Sequence, residues 1–98
     1  MKILILEDEP RSAKRLIRML KDIDPMFVPE GPLGSIKETE AFFRSGKSSD
    51  LILADIRLSD GLSFEALKHA PSSVPILFTT AYDEYAVQAF KFNSFDYL

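Results

Sequence analysis

The 98-residue chain has no cysteine, no tryptophan and a single histidine, His69. Without cysteine there is no disulfide scaffold, no thiolate metal site and no cysteine nucleophile. One histidine without partners makes neither a triad nor a metal cluster, and His69, near the end of a helix and just before Pro71, reads as a surface residue. No apolar run approaches the roughly 20 residues of a membrane helix, so no membrane segment is expected. The opening stretch Ile3 to Leu6 is stopped by Glu7, too short for a signal-peptide core, and the expected compartment is cytoplasmic. Positive charge is also scarce: 12 Lys and Arg against 15 Asp and Glu give a net charge of −3. A broad nucleic-acid surface is usually strongly basic, so no direct nucleic acid contact is expected of this domain. What remains is a chain 46% hydrophobic and long enough for one domain.

Ile3-Leu4-Ile5-Leu6 is continuously apolar, as are Leu51 to Ala54 and Val74 to Phe78. Strands buried on both faces read this way, the habit of a parallel sheet sandwiched by helices. A helix is expected from Pro10, with Ala13, Leu16, Ile17 and Leu20 on one face and a basic, solvated stripe on the other. A second starts at Ser35, where Ser35-Ile36-Lys37-Glu38 has capping-box spacing, and stops at Gly46. A third is expected from near Ser63 to before Pro71, and a fourth from about Asp83 to Phe92. Met26 to Leu33 is a weaker strand, interrupted by Pro29 and Pro32, which suits an edge. Ser94 to Leu98 supplies a fifth strand. Alternating βα units with the second strand at an edge predict an α/β, flavodoxin-like doubly wound sheet of order 2-1-3-4-5.

In such sheets ligands bind beyond the carboxyl ends of the strands, at the switch point between strands one and three. Glu7, Asp8 and Glu9 follow the first strand, Asp55 the third, and Thr79 and Thr80 the fourth. Carboxylates converging on one crevice raise each other's pKa unless a cation joins them, and a hard divalent ion, Mg²⁺, resolves the repulsion. Mg²⁺ also keeps an open side for a phosphoryl group, to which Thr80 could donate a hydrogen bond. Each signal has a plainer reading: Glu7, Asp8 or Glu9 as a helix cap, Asp55 as a turn former, the threonines as ordinary β-formers. A flavodoxin's hydroxyl-rich phosphate loop, a Gly-x-Gly-x-x-Gly turn and a Gly-rich loop ending in Lys-Ser or Lys-Thr are all missing.

Taken together, Glu7-Asp8, Asp55, Thr80-Ala81 and Tyr97 resemble the receiver domain of two-component response regulators. The stretches Ile52 to Glu65 and Ile76 to Phe90 resemble its LytTR group. The resemblance implies that Asp55 is the phosphoacceptor, taking a phosphoryl group from a sensor histidine kinase. It implies that Mg²⁺ is held by Asp8, by Glu7 through a water, by Asp55 and by the backbone carbonyl of Arg57. Thr80 and Ala81 would bind the phosphoryl group, Tyr97 would change rotamer, and the helix 4/strand 5 surface would switch a DNA-binding output domain. Arg57 and Tyr82, each two residues past a site residue, would rim the acyl phosphate and slow its hydrolysis.

In the family a lysine and a fifth helix follow the position of Tyr97, so residues 1–98 are expected to be a C-terminally truncated receiver without its output domain. Apolar surface left uncovered invites association, and a homodimer is open. Two other functions compete. One is a phosphorylation-independent interaction module of the same fold. The other is a metal-dependent phosphatase, which would commonly place a carboxylate where Arg57 stands. The domain is therefore not expected to be a turnover enzyme.

Overall fold

The computed structural model describes residues 1–79 and the course of the strand at 94–97. The expected fourth helix, with Thr80, Ala81 and Tyr82 before or at its start, lies outside the described residues. In chain order the elements are β1 (Lys2–Leu6), α1 (Pro10–Ile23), β2 (Val28–Leu33), α2 (Ile36–Arg44), β3 (Leu51–Ala54), β4 (Arg57–Leu58), β5 (Gly61–Leu62), α3 (Phe64–Leu67), β6 (Ile76–Phe78) and β7 (Ser94–Tyr97). Five strands form one sheet in the order β2-β1-β3-β6-β7. Every neighbouring pair in it is parallel. This is the expected 2-1-3-4-5 order once the small β4–β5 hairpin is set aside.

The continuous apolar runs are explained by the register. Leu4 pairs with Ile52 and Ile52 with Ile76, while Leu6 pairs with Ala54 and Ala54 with Phe78. These residues share a core with Ile56, Leu58, Phe64 and Leu67, against which Phe42 and Phe43 of α2 pack. The alternate residues Ile3, Ile5 and Leu53 share the opposite core with Leu20, flanked by Leu16 and Ile17 of α1. A strand's side chains alternate between faces, so a sheet covered on both sides needs apolar residues at every position. The Phe64 and Phe78 rings meet edge to face, 5.4 Å between centroids.

The helices begin where the sequence places them. Glu9 caps α1, its carboxylate accepting the Arg11 N–H at 3.1 Å, with Pro10 at the first position. At α2 the capping box is reciprocal: Glu38 N–H donates to Ser35 Oγ at 3.0 Å, and Ser35 Oγ–H to Glu38 Oε1 at 3.1 Å. α3 is only four residues long, shorter than the expected span to Pro71. The expected strand from Val74 likewise starts two residues later, at Ile76. β2 bends at Gly31, whose φ of +96° favours glycine and where a Cβ would fall 2.8 Å from the Ile5 carbonyl oxygen. The register with β1 shifts there, between Leu4 and Leu6.

Candidate metal centre

The parallel ladder continues one step past the strands. Asp55 N–H donates to the Leu6 carbonyl at 2.9 Å, Thr79 N–H to Ala54 at 3.0 Å, and Glu7 N–H to Leu33 at 3.0 Å. These bonds bring the residues after β1 and β3 to one edge of the sheet. Carboxylate oxygens of Glu7, Asp8 and Asp55 all lie within 4.8 Å of one another. Glu7 and Asp55 are half-buried and Asp8 is exposed. Partial burial, with the charges of Asp55 and Asp8 beside it, raises the Glu7 carboxyl above its ordinary 4.5, against a lowering bond from the Glu9 N–H. Glu9 itself is committed to capping α1, which separates it from the cluster by function.

The donor set suits a hard divalent ion. Oxygens on one Mg²⁺ stand about 2.1 Å from it, so they lie roughly 3 to 4 Å apart. A spread of up to 4.8 Å accommodates two direct carboxylates and a third reached through a water. Three carboxylates with no histidine or thiolate among them match Mg²⁺ rather than a softer metal. Arg57 is exposed, and its N–H stands 3.4 Å from Asp55 Oδ1. The position of Tyr97 in β7 is set by pairing with Phe78 of β6. Thr80, Ala81 and Tyr82, which follow Thr79, lie outside the described residues.

Sequence reasoning passed over two residues, of which Gly34 borders this cluster. Gly34 lies so close to the residues after β1 that a Cβ on it would stand 3.3 Å from the Asp8 Cα. Asp60, in the turn of the β4–β5 hairpin, accepts Ile36 N–H at 2.6 Å and Lys37 N–H at 3.2 Å. Those donors hold the Asp60 carboxyl below its ordinary value. The Asp60-Gly61 pair is a turn signal, but nothing local in the sequence shows that its carboxylate reaches α2. His69 is at the surface as expected, with its Nε2 3.5 Å from Glu40 Oε2.

No family model matches the chain. It is 36% identical over 105 residues to the transcriptional regulatory protein LytR of Staphylococcus aureus. It is 36% identical over 103 residues to the positive alginate biosynthesis regulatory protein of Pseudomonas aeruginosa. In both matches all of this chain aligns, and it spans 40% of the relative's length. The non-phosphorylated HemR receiver domain of Leptospira biflexa superposes with a TM-score of 0.80 at 24% identity, over 99% of this chain and 79% of that one. The response regulator MaeR, solved bound to beryllium trifluoride, gives 0.73 at 26% identity, over 95% of this chain and 77% of its own. Among the described residues no helix is long and apolar enough to cross a membrane.

Proposed function

Because this chain is a response-regulator receiver domain that resembles the LytTR group, we propose that it accepts a phosphoryl group on Asp55 from a phosphohistidine of a sensor histidine kinase. The observation that carries the reading is the convergence of the Glu7, Asp8 and Asp55 carboxylates within 4.8 Å at the switch point of the sheet. The beryllium trifluoride bound to the relative MaeR supports a ligand of phosphoryl size and shape.

An Asp55 carboxylate oxygen attacks phosphorus in line; the new O–P bond forms as the N–P bond of the donor breaks, and the imidazole nitrogen leaves with that electron pair. Asp8, Asp55, the Arg57 carbonyl and, through a water, Glu7 would hold Mg²⁺, which supplies neutralisation of the equatorial oxygens. Thr80 and Ala81 take the phosphoryl oxygens, and Tyr97 follows by changing rotamer. The surface built from β7 and the segment after Thr80 then acts as a two-state element that the acyl phosphate biases.

Residues 1–98 are the receiver unit in this reading. Its switching controls a DNA-binding output portion, a reading in keeping with the name of its longer relative, the transcriptional regulatory protein LytR, while the receiver itself makes no nucleic acid contact. The setting is cytoplasmic, and a homodimer is compatible with it. Asp55 gains and slowly loses its own phosphoryl group without turning over free substrates.

The test is incubation with Mg²⁺ and a small phosphodonor, followed by intact mass measurement. A phosphate-sized gain that disappears in Asp55→Asn is expected. A gain that survives this substitution removes Asp55 as the acceptor.

A further inference from the structure

Resting on that metal reading, we infer that Gly34 and Asp60 form a clasp that positions the two halves of the carboxylate cluster and so sets its affinity for Mg²⁺. Glu7 and Asp8 come from the end of β1, and Asp55 comes from the end of β3. The turn between β2 and α2 touches the first half directly and is bonded to the hairpin that follows Asp55.

Toward β1, the Leu33 carbonyl accepts the Glu7 N–H at 3.0 Å. Gly34 then lies against the chain, where a Cβ would stand 3.3 Å from Asp8 Cα, 3.6 Å from Asp8 Cβ and 3.7 Å from the Glu7 carbonyl oxygen. A 3.3 Å contact to backbone leaves the neighbour no flexible end to swing aside, so a methyl group here shifts Asp8 by a few tenths of an ångström. Toward β3, the Gly34 carbonyl accepts the Ser59 N–H at 3.0 Å. Asp60 grips the start of α2, directly after this turn, with both carboxylate oxygens, on Ile36 N–H and Lys37 N–H. Ser59 and Asp60 are the turn of the hairpin that starts at Arg57, two residues after Asp55. Ser63 N–H closes the base of this hairpin on the Ile56 carbonyl at 2.7 Å.

Capping alone does not account for this arrangement. Ser35 already caps α2 locally through Glu38 N–H. Asp60 adds two bonds from 24 and 23 residues further along the chain, which ties the hairpin to the start of α2 as well as capping it. Groups that hold metal ligands in place without touching the metal typically change affinity by about 10–100-fold.

The experiment is a calorimetric Mg²⁺ titration of the wild type, Asp60→Ala, Asp60→Asn, Gly34→Ala and the control Ile17→Ala, with urea unfolding of each. Ile17 packs on the α1 side of the sheet, against Ile3, Ile5, Leu20 and Leu53. Asp60→Ala and Gly34→Ala are expected to weaken the Mg²⁺ dissociation constant about tenfold or more. Asp60→Asn, which keeps one acceptor oxygen, is expected to fall between them and the wild type. Ile17→Ala should lose stability and keep its affinity. If wild type and clasp variants bind Mg²⁺ equally, or if the affinity of Ile17→Ala falls in step with its stability, the clasp is overturned while the metal reading stands. If the wild type itself takes up no Mg²⁺, the metal reading fails and the clasp fails with it.

Discussion

Glu7 is the carboxylate that makes the cluster sensitive to pH. Its carboxyl is raised above 4.5 by burial and by its acidic neighbours, so the folded chain holds this proton more tightly than the unfolded chain does. The metal-free protein therefore loses stability as pH rises from about 4.5 through the raised folded value. On the proposed metal reading, Mg²⁺ would displace that proton and reward the ionised form. Thermal midpoints measured across pH with a chelator should fall through this window, flatten in Glu7→Gln, and be restored in the wild type by excess Mg²⁺. Asp60 runs the other way: its lowered carboxyl adds stability that is present above 3.8 and lost as pH falls below it. At the rim, Arg57 and Tyr82 are proposed to obstruct the water that attacks the acyl phosphate. Replacing both with small polar residues should speed phosphate loss from Asp55, timed after the donor is removed; an unchanged rate sinks that role.

Among the elements, α2 shows how far local chemistry reaches. Its reciprocal Ser35–Glu38 cap was legible from four consecutive letters, because a capping box depends only on neighbours. Ser35→Ala removes one partner of Glu38 N–H and should cost about 1 kcal/mol in urea unfolding, within the 0.5–2 kcal/mol usual for such caps. The β4–β5 hairpin was not legible. Each of its strands has two residues, too short for a periodic signal, and its attachment to α2 is a contact between distant parts of the chain. α3 fell short for a related reason. Ser63 precedes it without making a side-chain cap, and its buried Phe64, Ala66 and Leu67 serve the core more than the helix.

For the whole molecule, the sheet was the most legible feature, because three uninterrupted apolar runs in a βα alternation leave few arrangements. The carboxylate cluster followed from it, since strand order alone decides that the ends of β1 and β3 are neighbours. Which carboxylate caps and which converges was open until backbone geometry assigned Glu9 to α1. The two-sided core makes a quantitative expectation. Leu4 and Ile5 are adjacent in sequence, fully buried and on opposite faces. Leu4→Ala and Ile5→Ala should each cost about 2–5 kcal/mol, whereas Val28→Ala, at a residue 48% exposed on the outer strand, should stay within about 0.5 kcal/mol. Equilibrium denaturation of the three variants checks this. That outer strand has a colloidal consequence. β2 pairs with β1 along one side, and two of its six residues, Pro29 and Pro32, have no N–H to offer on the other. An incoming strand would meet gaps in the row of donors that templates sheet growth, so β2 resists fibril-like stacking even when the domain is concentrated.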